Sequence, residues 1–194
     1  MQSYKNYEVI IINDGSTDKT YEVLKKYKKN KKIKIFNFNR NLGLAIRLNF
    51  AIEKSTGDYI VRIDCDDLMT KKRIIHQLNQ FKKDSSLDVV GGSALYINGF
   101  KKKKIYPVKK DSEIKTKMNY HNPIIHSSVM FKKKSIIKLG GYDKNFLRCQ
   151  DYELWLRGKS VLKFLNVKKI LVIRDVTNFQ FRLSNVFYLL KARL

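Results

Sequence analysis

The segment YIVRIDCDD, residues 59–67, ends an apolar run with three carboxylates within four positions. Its Tyr, Ile and Val residues predict a buried strand. Asp64, Asp66 and Asp67 would repel one another at the strand end unless a divalent cation such as Mg²⁺ or Mn²⁺ lay between them. Ligands usually bind at the carboxyl ends of strands in open α/β sheets. This pattern therefore predicts a metal site, and a solvated acidic turn that caps the next helix is the alternative.

The composition is that of one globular domain. The chain has 194 residues, 43% of them hydrophobic and 12% aromatic, which is enough for a full core and excludes a disordered chain. No uninterrupted apolar run is long enough to cross a bilayer, and no secretory signal is recognisable. Cys65 and Cys149 form neither a zinc pattern nor a disulfide framework, so we expect a reducing compartment.

The net charge of +24 is a weak indicator of function. Lysines occur throughout the chain, in runs such as Lys101–Lys104 and Lys132–Lys134, rather than on one face. A field of this sign attracts nucleic acid, anionic lipid or a sugar nucleotide. No recognition helix, stacking motif or zinc finger accompanies the charge, so a nucleic-acid partner is not predicted.

Strands and helices alternate along the first half of the chain. We predict strands at 7–12, 33–36 and 59–64, and helices at about 16–29, 43–54 and 70–83, the first capped by Ser16 or Thr17. Further strands are predicted at 87–97 and 103–108 around the turn Asn98-Gly99, with a short helix at 112–118. This alternation predicts an α/β fold with a mostly parallel sheet and helices on both faces.

Three other segments carry candidate chemistry. Asn13-Asp14-Gly15-Ser16 follows a strand and could hydrogen-bond a base or ribose, although an ordinary turn is the alternative. Arg40, in the segment 39–43, could contact a base or diphosphate or be a plain surface arginine. Asp151 begins a helix, where a carboxylate facing a cleft is a natural general base or only a partner of the helix dipole.

In this order, the segments resemble the family 2 inverting glycosyltransferases, which have the nucleotide-diphospho-sugar transferase (GT-A) fold. The resemblance covers roughly residues 2–173. It is carried by the matching segments YEVIIINDGSTD (7–18), RNLG (40–43), GDY (57–59), DCDD (64–67), NPIIHSSVMF (122–131), LGGYD (139–143) and QDYELW (150–155).

The resemblance implies roles on the nucleotide side of the site. Asp14 and the adjacent Gly15 match the position that contacts the base, and Arg40 matches a base or phosphate contact. Asp64 would face the ribose and Asp66 the cation that bridges the diphosphate. Mg²⁺ or Mn²⁺ is the implied cofactor.

The resemblance also implies roles for residues on the acceptor side of the site. Asp151 matches the catalytic base, although the family usually has Glu-Asp where this chain has Gln150-Asp151. His126 lies in the stretch that lines the donor-sugar and acceptor side, with a packed loop histidine as the alternative.

The implied activity is sugar transfer, with inversion, from a nucleotide-diphosphate sugar to a glycan or lipid-linked acceptor in surface polysaccharide, lipopolysaccharide or glycan synthesis. A UDP-sugar is the expected donor. We expect a cytoplasmic protein with peripheral contact to the inner face of the membrane. A catalytically inactive remnant or accessory protein of the same fold is the alternative.

Two features depart from the family pattern. Residues 1–8 look like the end of the family's first helix, so we expect a GT-A domain over residues 1–183 that is N-terminally truncated and lacks its first strand, with reduced folding or activity. Residues 184–194 are expected to form an amphipathic tail that lies on a membrane or on the domain. The second departure is that no histidine follows the last core strand, at residues 172–176.

Overall fold

The computed structural model of this chain describes residues 2–177. Eight strands and six α-helices alternate as predicted for an α/β protein. The strands are β1 Val9–Asp14, β2 Ile33–Phe38, β3 Tyr59–Val61, β4 Asp67–Met69, β5 Val89–Asn98, β6 Lys101–Ile105, β7 Met130–Lys132 and β8 Phe164–Asp175. The helices are α1 Thr20–Lys25, α2 Leu44–Lys54, α3 Arg73–Lys83, α4 Asp111–Lys117, α5 Lys133–Lys138 and α6 Gln150–Arg157, and a 3₁₀ turn covers His126–Ser128.

The strands form two sheets within the described residues. β1 and β2 pair in parallel by themselves, and the larger sheet has the order β3-β7-β5-β8-β4, with β6 added on β5. In that sheet only β5 and β8 run parallel, while the other four pairings are antiparallel. The pairing is therefore mixed rather than mostly parallel. Helical crossovers dominate only the first half of the chain, whereas a tight hairpin joins β5 to β6 and forces an antiparallel pair.

Helices cover both faces of the larger sheet, as expected. Val89 and Val90 are adjacent in β5 and fully buried, so their side chains enter different cores. Val89 joins the larger core with Phe131, Leu154 and Trp155. The smaller core contains Val90 and Met130, together with Ile74, Phe81 and Leu87.

Several element ends differ from the prediction. Helix α1 covers six residues, with Lys19 as its N-cap, instead of running from Ser16 or Thr17 to residue 29. The Asp18 carboxylate takes the capping role, because its Oδ1 accepts a hydrogen bond from the Thr20 N–H at 2.9 Å. Residues 2–8 are not helical. The Gln2 side chain instead donates to the Thr70 carbonyl at 2.8 Å, which ties this segment to the start of α3.

Helix α3 is anchored by Arg73, whose side chain is completely buried. Its guanidinium donates to the backbone carbonyls of Ser127, Arg62 and Val129 at 2.7–2.9 Å, and to the Gln77 side chain at 3.0 Å. Burial lowers the pKa of Arg73 to about 9, so the group is still protonated at neutral pH. The helix is thereby tied to the strand end that carries the acidic segment.

The predicted tail at 184–194 lies outside the described residues, so the boundary at residue 183 stays a prediction. Among residues 2–177, no helix combines the length and the apolar character needed to cross a lipid bilayer.

Candidate active site

A cavity of about 720 Å³ opens beside the end of β3. Four of the predicted site residues line it: Asp64, His126, Gln150 and Asp151. Its walls also include residues from the β5–β6 hairpin, the loop after β6, the loop before the 3₁₀ turn, and β8. Its volume is in the range of small-molecule sites.

The acidic segment forms a compact cluster at the edge of this cavity. One carboxylate oxygen from each of Asp64, Asp66 and Asp67 lies within 4.8 Å of the other two. Asp66 is exposed, while Asp67 is buried in β4 and its Oδ1 accepts a hydrogen bond from the Arg174 Nε at 3.3 Å. Three carboxylates packed this closely repel one another, and three hard oxygen ligands suit Mg²⁺ or Mn²⁺. The residues present therefore fit a divalent cation.

Two arginines partly balance this negative charge. Arg62 forms a bidentate pair with Asp64, with Nη1 donating to Oδ2 at 2.6 Å and Nη2 to Oδ1. The Arg174 Nε lies 3.0 Å from Asp67 Oδ2, and its Nη2 lies 3.7 Å from Asp64 Oδ2. Burial disfavours the charged form of Arg174, but Tyr96 and the two carboxylates outweigh it and raise its pKa.

Neither arginine was assigned a role from the sequence. Arg62 could have been found, because it lies two positions before Asp64 in an extended segment, and residues at that spacing share a face. Arg174 could not be placed in this way, since it is 110 positions from Asp64 in the sequence. Only the pairing of β8 with β4 brings it to the acidic cluster.

Asp151 enters the cavity from the first turn of α6. The helix follows Cys149, the single non-glycine residue with a positive φ (55°) in the described chain. The Asn122 side chain donates to Asp151 Oδ2 at 2.7 Å and so fixes the carboxylate. Burial raises the pKa of Asp151, opposed by a backbone hydrogen bond, Arg62 and Asn122. A raised pKa brings a carboxylate closer to what a general base needs.

His126 fits both interpretations made from the sequence, a residue that lines the site and a packed loop histidine. It lines the cavity, and its Nε2 lies 2.8 Å from the hydroxyl of the buried Tyr142. Its ring also packs edge-on against Trp155. Burial, together with the charges of Arg62 and Arg174, holds the pKa of His126 well below its usual value. The imidazole is thus neutral at neutral pH and can exchange only hydrogen bonds with a ligand.

The remaining predicted residues do not line the cavity. Asp14 ends β1, and its carboxylate accepts the backbone N–H groups of Leu42 and Gly43 and the Nε of Arg47 at 2.5–3.2 Å. Burial disfavours its charge, but these donors outweigh burial and lower the pKa of Asp14. In this arrangement Asp14 holds the loop that contains Arg40.

A glycine is required at position 15 because the backbone there lies against the loop that contains Arg40. Its φ is +74°, and a Cβ there would lie 2.7 Å from the Asn41 nitrogen. The Arg40 side chain is exposed, while its carbonyl accepts a hydrogen bond from Arg47 at 2.8 Å. Leu44, at the start of α2, does line the cavity and so connects the cavity with the loop that contains Arg40.

Fold and sequence comparisons define the class of this protein. The S. aureus TarS structure (residues 1–349, in complex with UDP) superposes with a TM-score of 0.73 at 15% identity, over 99% of this chain and 57% of that one. The mannosyltransferase PcManGT from Pyrobaculum calidifontis, in complex with GDP-Man and Mn²⁺, gives 0.66 at 16% identity, over 93% of this chain and 51% of that one. The chain has the GT-A glycosyltransferase fold.

The family model for "Glycosyl transferase family 2" matches residues 1–140. This chain therefore belongs to glycosyl transferase family 2, as the motifs predicted. The Escherichia coli UDP-Gal:alpha-D-GlcNAc-diphosphoundecaprenol beta-1,3-galactosyltransferase is 31% identical over 161 residues, which cover 79% of this chain and 58% of that protein. The chain spans a similar share, 57%, 55% and 54%, of three further relatives.

Proposed function

We propose that this chain is the catalytic domain of an inverting glycosyltransferase that uses a nucleoside-diphosphate sugar, with a UDP-sugar as the expected donor. The observation that carries the proposal is that Asp64 of the acidic cluster and the partly buried Asp151 line one cavity. A transferase of this kind needs a diphosphate site and a base on opposite sides of the reacting carbon. The names of the TarS, PcManGT and E. coli proteins, which mention UDP, GDP-Man and UDP-Gal, support a nucleotide sugar.

Asp64, Asp66 and Asp67 would hold a divalent cation. A bound Mg²⁺ or Mn²⁺ supplies positive charge to stabilise the departing nucleoside diphosphate. Arg62 and Arg174 lie beside these carboxylates and add fixed positive charge where the diphosphate would bind. Asp14 and Gly15 at the end of β1, with Arg40 in the loop after β2, form the adjacent region that we assign to the base and ribose.

Asp151 is the proposed general base. It would accept the proton of an acceptor hydroxyl while that oxygen attacks the anomeric carbon opposite the leaving diphosphate. One in-line displacement of this kind inverts the configuration without a covalent intermediate. Asn122 positions the carboxylate, and Gln150 and the neutral His126 offer hydrogen-bonding groups to the sugar or the acceptor.

We further propose that the acceptor is a glycan or a lipid-linked sugar in surface polysaccharide synthesis. The E. coli relative is named for a diphosphoundecaprenol-linked acceptor, which supports a lipid-linked substrate. Such an acceptor would place the protein in the cytoplasm, against the inner face of the membrane.

Calorimetry with UDP and the full chain tests the metal assignment. We expect UDP binding to require Mg²⁺ or Mn²⁺, to be lost with a chelator, and to fall strongly in Asp66→Asn. Asp66 is exposed, so its substitution should leave the fold intact. Asp58→Asn, at another exposed aspartate outside the cluster, is the matched control and should bind UDP like the parent chain. Equal affinity with the chelator, or in Asp66→Asn, would refute the metal role.

A further inference from the structure

The β5–β6 hairpin ends in an apolar tip. Its turn consists of Gly99 and Phe100, and the side chain of Phe100 is fully exposed. A single exposed aromatic residue is common on protein surfaces and has no meaning alone. Its neighbours in β6 make this one informative.

Four lysines follow Phe100 directly and make up most of β6. Lys101, Lys102, Lys103 and Lys104 are all exposed. None of them forms an ion pair with a carboxylate in the part of the chain that the structure describes. In the register of the hairpin they lie opposite Asn98, Ile97, Tyr96 and Leu95, so no acidic residue faces them across the strands. The tip is therefore an apolar side chain next to four unpaired positive charges.

Protection of a sheet edge explains only part of this pattern. Among the described strands β6 pairs with β5 alone, and lysines on an exposed edge strand discourage pairing with another chain. That function needs charge along the strand, but it gives no reason for a fully exposed Phe100 at the turn. The combination of a charged strand and an apolar tip calls for a ligand that is anionic at its surface and apolar beneath.

The hairpin also borders the cavity. Tyr96, Ile105 and Tyr106 line it, and Tyr106 is more than half exposed. Ile105 lies five positions after Phe100, which corresponds to roughly 17 Å along a strand. A surface that contacted the tip would thus lie beside the mouth of the cavity. Exposed tyrosines such as Tyr106 and Tyr120 suit such an interfacial position.

We propose that the β5–β6 hairpin docks on an anionic phospholipid surface, with Phe100 inserted among the headgroups and Lys101–Lys104 on the lipid phosphates. An apolar tip combined with lysines matches the headgroup boundary, which attracts basic residues and accepts aromatic side chains. A nucleic acid fits less well, because base stacking uses aromatic residues arranged along a groove, and Phe100 is the only aromatic residue at this turn. Delivery of a membrane-held acceptor to the cavity rests on the proposed function, whereas the lipid contact does not.

Vesicle co-sedimentation of the full chain tests the contact. We expect binding to phosphatidylcholine vesicles only when they contain phosphatidylglycerol. Replacing Lys101–Lys104 together by glutamine should weaken it by roughly 600-fold, from about fivefold per lysine. The matched control replaces Lys26, Lys28, Lys29 and Lys31, four exposed lysines near α1, and should change binding much less. Equal losses in the two variants, or no loss in the hairpin variant, would overturn the proposal.

Fluorescence and vesicle binding of Phe100 variants test whether the tip inserts. In Phe100→Trp, the emission of the introduced indole should shift to shorter wavelength on addition of the anionic vesicles, and Phe100→Ser should bind them more weakly. An unshifted emission would contradict insertion. Binding of a single-stranded oligonucleotide that depends on Phe100, without binding to vesicles, would assign the hairpin to nucleic acid instead.

The proposed transferase function and the lipid contact can be tested independently of each other. Asp66→Asn, which is designed to lose metal-dependent UDP binding, should bind the vesicles like the parent chain. Loss of vesicle binding in the hairpin variants with unchanged UDP binding would support the lipid contact by itself.

Discussion

The carboxylates of the cavity differ in what surrounds them. Asp66 is exposed, Asp64 is paired with Arg62, and Asp151 is partly buried beside the amide of Asn122. These environments favour different roles, because desolvation raises the pKa of Asp151 and so makes its carboxylate a better proton acceptor. Asp151 is therefore the best candidate for proton transfer.

Asp151→Asn should lower turnover on the order of a hundredfold to ten-thousandfold while UDP binding survives. The same change should raise the free energy of unfolding at neutral pH. Folding raises the pKa of this carboxyl, so its contribution to stability is present below the unfolded value near 3.8 and is lost as the pH rises through the folded value. Sugar-transfer assays and urea unfolding at acidic and neutral pH check both effects. Normal turnover would return Asp151 to a role in helix capping.

Arg174→Gln should destabilise the metal-free protein by roughly 1–3 kcal/mol, because the nearly fully buried Asp67 loses its positive partner. The same variant should bind Mn²⁺ more tightly, since one competing cation has been removed from the cluster. Thermal unfolding with and without Mn²⁺ measures both changes. Arg148→Gln, at an arginine outside the cavity lining, is the control. A variant that Mn²⁺ stabilises no more than the parent chain would contradict the competition.

At the scale of secondary structure, the site depends on how the elements are tied together. β4 pairs with the end of β8 and places Arg174 over the acidic cluster. Helix α3 supports the same region from beneath, because Arg73 binds the carbonyl groups of Arg62, Ser127 and Val129. The acidic segment is thus held between a strand and a helix that come from distant parts of the chain.

Arg73→Met should lower the free energy of unfolding by about 3–5 kcal/mol, since it removes the guanidinium donor from three buried carbonyl groups. Lys72→Met changes an exposed neighbour and should have an effect of about 0.5 kcal/mol or less. Chemical unfolding followed by circular dichroism compares the two. Equal stability of the variants would mean that Arg73 does not anchor the helix.

At the scale of the whole molecule, the two sheets differ in burial. β5 has six consecutive buried residues from Val89 to Ala94 and pairs with three other strands. β1 has only Asn13 buried and pairs with β2 alone among the described strands, and the neighbouring helix α1 in the sequence has no buried residue. The loop assigned to the nucleotide base belongs to this less buried unit.

Hydrogen exchange should therefore separate the two sheets. We expect amides of β1 and β2 to exchange faster than those of β5 and β8, because local opening exposes little buried surface there. Addition of UDP with Mg²⁺ should slow exchange in residues 9–43 if Asp14, Gly15 and Arg40 hold the base. Uniform protection of both sheets would contradict the first expectation, and unchanged exchange with bound nucleotide the second.

The sequence by itself determined the α/β class, the family, and the presence of an acidic cluster and of a carboxylate at a helix start. These features are local, because hydrophobic period, turn residues and short ordered motifs lie within a few residues of one another. It did not give the mixed strand pairing, nor the irregular, non-helical conformation of residues 2–8.

Only the tertiary structure decided which charges meet. Arg174 reaches Asp64 and Asp67, Asn122 reaches Asp151, and Arg47 reaches Asp14, across separations of 29 to 110 positions in the sequence. Such contacts depend on strand register and loop path, which no local pattern encodes. For the same reason, the cavity joins Asp64 to Asp151 but excludes Asp14, although all three belong to matching motifs.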